Sequence, residues 1–304
     1  MNAAAPRNPI LYPSTDPLDP GLLLEMKLRL VLYLESPPDP VALVGLYRTY
    51  MHRFGSRITA YRSTAFGDLP SQWSESARIE FEASLLPDLY RGTAWGYVFG
   101  EEAPADARLF LFHGARPASE YGRASLLRFD FEWHVDVRQV LELAVTTLQA
   151  FDCMCGSLGY VLAPGDARAA TSDHGLGFAA AMRYWGVQAQ DLDATADVAQ
   201  QGIPSIAWVT ILGPRLLERR PDAVAAARAM AFASYDVGAQ LMLMTEQRPR
   251  LIDRNRRETL GNYPAVAQAL SPLQIEGHGT FAEEPWDEDC TERYLRRFTA
   301  ARPP

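Results

Sequence analysis

The chain has 304 residues, 48% of them apolar and 22% charged, which is ample for a hydrophobic core and ordinary for a globular protein. A formal charge of -8 and an isoelectric point near 5.2 argue against a general nucleic-acid binder, which carries a basic face. No apolar run reaches the length of a membrane span, and the start, MNAAAPRNPILYPSTDP, lacks a signal-peptide core, so a cytoplasmic protein is expected.

Residues 1–21, rich in Pro, Asp and Ala, are expected to form a flexible tail, with one compact domain over 22–304. The run LRLVLYLE marks a strand within 22–35. Asp39 can cap a helix over Pro40–Phe54, with Pro40 at its first position and Gly55 as its stop. Val44, Tyr47, Met51 and Phe54 are spaced to line its buried face. A short strand follows over 58–63, then a helix over 74–89 capped by Ser74. Strands over 93–99, 107–113 and 125–135 are joined by polar, Gly- and Pro-bearing links, which predicts antiparallel neighbours. Asp136 can cap a helix whose apolar spacing continues from Val140 to Leu158, giving a predicted helix over 137–162.

A helical stretch over 178–184 leads through a polar connection to 204–212. There Ile206, Ala207, Trp208, Val209, Ile211 and Leu212 stand between Gly202 and Gly213-Pro214. A short apolar run between turn residues predicts a strand covered on both faces. A new helix, an alanine-rich helix through Phe232 and a buried strand over 238–245 follow. A loop over 247–257 carries five arginines. Short helices are predicted over Tyr263–Leu270 and 286–298. The mixed order gives an α+β fold, mainly antiparallel sheet flanked by helices. Strand-helix-strand pieces at 28–63 and 205–245 raise a loose internal duplication, without a residue-level repeat.

Chemistry is harder to find. Gly175-Leu176-Gly177-Phe178-Ala179-Ala180 matches a dinucleotide pattern, but no strand precedes it to aim a phosphate at a helix start. Cys153, Cys155 and Cys290 form neither a disulfide framework nor a zinc pattern, and Cys153 and Cys155 read as small buried residues in an apolar helix. Along the strand stretch 128–136, Phe129, Phe131, Trp133 and Val135 fall on one face, and Arg128, Asp130, Glu132, His134 and Asp136 on the other. Asp130, Glu132 and His134 have the donor types of a metal site, and a metal-dependent hydrolase is the alternative they define. Alternation alone, however, describes the wet face of a half-exposed sheet, and such a face can bind protein. The segment EGHGTFAEEPWDEDCTE is acidic throughout, with Trp286 among Glu283, Glu284, Asp287, Glu288 and Asp289. These acids suit the first turn of a helix. They equally suit a contact patch in which an aromatic anchor faces a basic partner.

The motifs LRLVLYLES, GTAWGYVFGEE, RFDFEWHVD, MRYWGVQAQDLD, GIPSIAWVTILG and GNYPAVAQALSPLQI together resemble the TsiV-type immunity proteins of bacterial type VI secretion systems. The resemblance runs from Leu22 to Phe298. It implies a protein without enzymatic activity or cofactor that binds and neutralises a co-encoded antibacterial effector. Some members are paired with nucleases of the VRR-Nuc type, and an acidic chain can occupy the basic face of such an enzyme. The resemblance supplies no catalytic residues. Asp130, Glu132, His134, Glu283, Glu284, Trp286, Asp287, Glu288 and Asp289 are therefore the candidate partner-binding residues. Contact with membrane or nucleic acid is not expected, and a homo-oligomer is left open.

Overall fold

Leu22–Leu34 is the longest strand among the described residues, and its sequence explains its place. Side chains alternate across a strand, so Leu28, Leu30, Leu32 and Leu34 lie on one face and Lys27, Arg29, Val31 and Tyr33 on the other. All eight are buried. A strand buried on both faces must lie inside a sheet with cover on each side.

The computed structural model describes residues 11–13, 22–63, 71–84, 95–100, 108–114, 118–164, 173–189, 191–281 and 286–299. In chain order these hold β1 (Leu11–Pro13), β2 (Leu22–Leu34), α1 (Pro40–Phe54), β3 (Ala60–Ser63), β4 (Ser71–Gln72) and α2 (Glu75–Ser84). Next come β5 (Trp95–Gly100), β6 (Arg108–Gly114), α3 (Ala118–Tyr121), β7 (Ser125–Glu132), α4 (Val137–Ala150) and β8 (Cys153–Pro164). Then follow α5 (Asp173–Arg183), β9 (Val187–Gln188), α6 (Leu192–Val198), β10 (Val209–Leu212), α7 (Pro214–Arg219) and α8 (Pro221–Met230). The chain closes with β11 (Ala233–Val237), β12 (Gln240–Met244), α9 (Tyr263–Leu270) and α10 (Glu288–Leu295). Residues 85–89 of the expected second helix, the starts of the strands expected at 93 and 107, and most of the expected tail lie outside the described residues.

The strands form one sheet in the order β11-β12-β10-β8-β2-β7-β6-β5-β3-β4, with β1 on β2 and β9 on β8. All described pairings are antiparallel except β8 with β9. The fold is thus α+β with a mainly antiparallel sheet. β2 sits centrally, Leu30 pairing with Phe129 of β7 on one side and Leu158 of β8 on the other. Leu28, Leu30, Leu32 and Leu34 of β2, with Phe129, Phe131, Leu158, Val209 and Ile211, pack under α1 and α4 through Leu43, Tyr47, Tyr50, Val140 and Leu143. On the opposite face Val31, Tyr33, Leu241 and Leu243 pack against Ala196, Leu216, Val224, Ala227 and Val266 from α6 to α9. A third cluster joins Leu24, Met26 and Leu162 to Ala180 and Ala181 of α5 and to Phe281, Trp286, Tyr294 and Leu295.

Several expectations are met closely. Asp39 accepts from the Ala42 N–H at 2.9 Å, and α1 begins and ends where its capping residues stand. Its inner stripe is rotated, however: Leu43, Leu46, Tyr47 and Tyr50 are buried, and Val44, Met51 and Phe54 pack at the margin.

The helix predicted over 137–162 is corrected. It stops at Ala150, and Cys153–Pro164 is the strand between β2 and β10. An apolar run covered on both faces fits either period. The decision is made by a distant side chain: Gln240 of β12 donates to the carbonyls of Leu148 (2.7 Å) and Phe151 (3.0 Å) and accepts from the Cys153 N–H (3.0 Å). These bonds satisfy the helix end and start the strand. Cys153 and Cys155 are buried as expected, in a strand.

The strand expected over 204–212 is regular only at Val209–Leu212. Gly213 follows it, where only glycine fits: a Cβ there would lie 1.8 Å from the Cys153 carbonyl oxygen. The two strand-helix-strand pieces are built differently, since β10 and β12 are neighbours whereas β2 and β3 are separated by three strands.

Candidate functional site

β7 brings Arg128, Asp130 and Glu132 to the face of the sheet that also carries Lys27 and Arg29, because Arg29 pairs with Asp130 and Lys27 with Glu132. The expected wet face is dry at Asp130 and reaches solvent towards Glu132 and His134. Asp130 is 0% exposed. The Arg29 guanidinium binds it through two bonds of 2.6 and 2.9 Å, and Arg128 Nε lies 3.1 Å from both of its oxygens. Burial pushes the Asp130 carboxyl up, but the adjacent Arg128 and Arg29 charges outweigh this and hold it below the usual carboxylate range. Arg29 is itself buried, and desolvation lowers its pKa. Lys27 pairs with Glu25 at 2.7 Å in the same interior strip. Alternation predicted the shared face correctly. It could not show that β2 supplies a second arginine across the sheet, nor that the face is covered.

Asp130 therefore does not serve as an exposed contact or as a metal ligand, since both its oxygens are engaged and two guanidinium charges repel a cation. Among the described residues, no group of three His, Cys, Asp or Glu side chains is arranged to hold a metal ion. The other two members of the trio lie past the clamp, where β7 ends in a turn. His134 Nε2 stands 3.2 Å from Glu132 Oε2, and both side chains reach solvent. An open groove of about 180 Å³ runs beside them, lined by Tyr50, Phe54, Ser56, Asp130, Phe131, Glu132 and Val135. Phe54 was legible as a core-type residue of α1, but not as the wall of a groove, and Tyr50 was not singled out by its spacing.

The acidic segment divides in two. Trp286 is 4% exposed, which corrects its expected role as an exposed anchor. It packs edge-on against Phe178 of α5 (5.0 Å), Phe281 (5.2 Å) and Tyr294 (5.3 Å). A tryptophan among acids looks like an interface residue in a linear sequence. Here α5, the segment before it and the helix after it each place one aromatic ring on the indole. The acids of α10 do face solvent: Asp287, Glu288 and Asp289 are exposed. Asp287 caps the helix, accepting from the Cys290 N–H at 2.6 Å, a bond that holds its carboxyl below the usual range. Glu283 and Glu284 lie outside the described residues. Below the helix, Tyr294 donates to the Val187 carbonyl (2.5 Å) and accepts from the Ala189 N–H (2.9 Å), joining α10 to β9.

The glycines of the dinucleotide-like pattern stand inside α5, not in a turn between a strand and a helix. No helix of the described residues is long and apolar enough to cross a membrane. What the fold presents is a mainly antiparallel sheet with a buried charged strip, Lys27, Arg29 and Asp130, and an acidic helix start at Asp287, Glu288 and Asp289.

The family model described as "TsiV: Type VI immunity for VRR-NUC" matches residues 47–298. The chain belongs to this family of immunity proteins, which act against type VI secretion effectors. A solved T6SS protein of Pseudomonas aeruginosa has a similar fold, with a TM-score of 0.76 and 15% identity over 91% of this chain and 82% of that one. No curated protein sequence matches the chain.

Proposed function

We propose that the chain neutralises a VRR-Nuc-type nuclease by binding alone, with no reaction of its own, in the cytoplasm where such an effector meets nucleic acid. Membership of the immunity family carries this reading. The engagement of both Asp130 oxygens by arginines supports it, because a hydrolytic mechanism in this strand would need that carboxylate free.

The proposed contact surface is acidic. It comprises Asp287, Glu288 and Asp289 at the start of α10, Glu283 and Glu284 before them, and Glu132 and His134 beside the groove. A nuclease presents positive charge to the phosphate backbone, and acids held near that face speed encounter and compete with the substrate. Trp286 and Asp130 act from inside, by fixing α10 and β7. No direct nucleic-acid contact is expected at this surface.

The test is co-expression of the chain with the nuclease encoded beside it, scoring growth and co-purification. The parent is expected to rescue growth and to co-purify. A Glu288→Lys/Asp289→Lys variant is expected to associate about tenfold more slowly, within the range that electrostatic steering covers. Absence of rescue and of co-purification by the parent would reject the reading.

A further inference from the structure

The basic loop after β12 is unusual in a chain of charge -8. It is also strained where no glycine stands. Ile252 has φ 56° and Arg257 φ 54°. The left-handed region is a genuine outlier for a β-branched residue, and such conformations persist only where the surroundings over-determine them.

The surroundings here do so. Ile252 is fully buried, its carbonyl accepts from the Trp185 N–H at 3.1 Å, and the Leu251 carbonyl accepts from the Gly186 N–H at 2.8 Å. Gly186 is required for that approach, because a Cβ there would lie 1.9 Å from the Arg250 carbonyl oxygen. Asp253 receives the Asn255 N–H at 2.9 Å and gives its own N–H to Glu258 Oε2 at 3.1 Å. Arg183 of α5 holds its carboxylate at 2.8 Å.

The turn so fixed displays Arg254, Asn255, Arg256 and Arg257, all exposed. Arg254 is stacked over the Trp185 ring at 4.5 Å, and Arg256 leans towards Asp253 at 3.7 Å. Asp253 already balances Arg183, so the turn keeps an excess of positive charge in a preset shape.

We propose that this turn is a second contact with the effector and seats in the carboxylate cluster that holds a nuclease's divalent metal. The inference rests on the function proposed above and adds the opposite-sign half of the interface. Nuclease centres of the two-metal class gather carboxylates around Mg²⁺, which makes the metal-free centre a concentrated patch of negative charge. Guanidinium groups match carboxylates by paired hydrogen bonds. A backbone already locked in its binding shape loses little entropy on docking. Nucleic acid is disfavoured as the occupant because the rest of the chain repels phosphate. Both halves hang on one helix: α5 packs Phe178 against Trp286 below the acidic helix start and binds Asp253 through Arg183.

The experiment compares the parent with Arg254→Glu/Arg257→Glu and with the milder Arg254→Gln/Arg257→Gln, each checked for an unchanged melting transition. Binding to the co-encoded nuclease is measured in EDTA and in Mg²⁺ at matched ionic strength. The parent is expected to bind at least about tenfold more tightly without the metal, the scale of one interfacial charge pair. The Glu variant is expected to lose that factor in EDTA and to become insensitive to Mg²⁺, with the Gln variant between. Folded variants that bind like the parent, or keep its Mg²⁺ response, overturn the inference and leave the proposed function standing. A parent that does not bind the nuclease overturns both. Variants that lose binding to a DNA duplex while keeping the nuclease also overturn it, making the turn a nucleic-acid contact.

Discussion

Asp130 is buried away from solvent, so Arg29 and Arg128 must balance its charge. A buried ion pair adds little net stability when intact, but breaking it leaves an uncompensated charge. Asp130→Asn is therefore expected to destabilise the fold by about 3–5 kcal/mol, measured by urea denaturation at neutral pH. The sign of the pH dependence follows from the lowered pKa. The stability contributed by Asp130 is present above the ordinary value of 3.8 and is lost as the pH falls below it towards the depressed folded value. The parent's acid limb should be steeper than that of Asp130→Asn, and superimposable acid limbs would show that Asp130 is not held ionised by the two arginines.

At the scale of the element, α10 depends on the aromatic cluster beneath it. Its surface is acidic, and its attachment comes from Trp286, Tyr294 and Leu295 against Phe178 and Phe281. Truncating a buried tryptophan removes its transfer energy and leaves a cavity, so Trp286→Ala is expected to cost about 3–5 kcal/mol. Hydrogen exchange should show α10 opening more readily in that variant while the amides of β2 and β8 stay protected near their global limit. Equal protection of α10 in parent and variant would mean that Trp286 does not anchor the helix. Any affinity lost in Trp286→Ala should therefore be recovered where the variant is stabilised. A loss caused by removing an exposed anchor would not be.

At the scale of the whole molecule, the charge of -8 acts through long-range steering. The rate of association with the nuclease is expected to fall steeply as salt shortens the Debye length from about 30 Å at 0.01 M to about 8 Å at 0.15 M. The dissociation rate should change much less, because short-range contacts control it. Stopped-flow measurements over that range check this, and a salt-independent association rate would remove the acidic surface from the encounter step.

The sequence by itself determined the elements whose signals are local: α1 with its Asp39 cap and Gly55 stop, α9, the apolar strand β2 and the boundary at Gly213. It also carried the family resemblance, because scaffold motifs survive as short strings, and the mixed order of elements that makes the fold α+β. Only the tertiary structure decided whether 153–164 was helix or strand, since an apolar segment buried on both sides fits either period until Gln240, far along the chain, takes up the helix-end carbonyls. Tertiary structure likewise decided burial. Asp130 and Trp286 both had surface-like neighbours in sequence, and both are inside. The reason is that alternation and local charge tell which face a side chain takes, whereas solvent access depends on neighbours distant in sequence: Arg29 beside Asp130 on the adjoining strand in one case, α5 and α10 around Trp286 in the other.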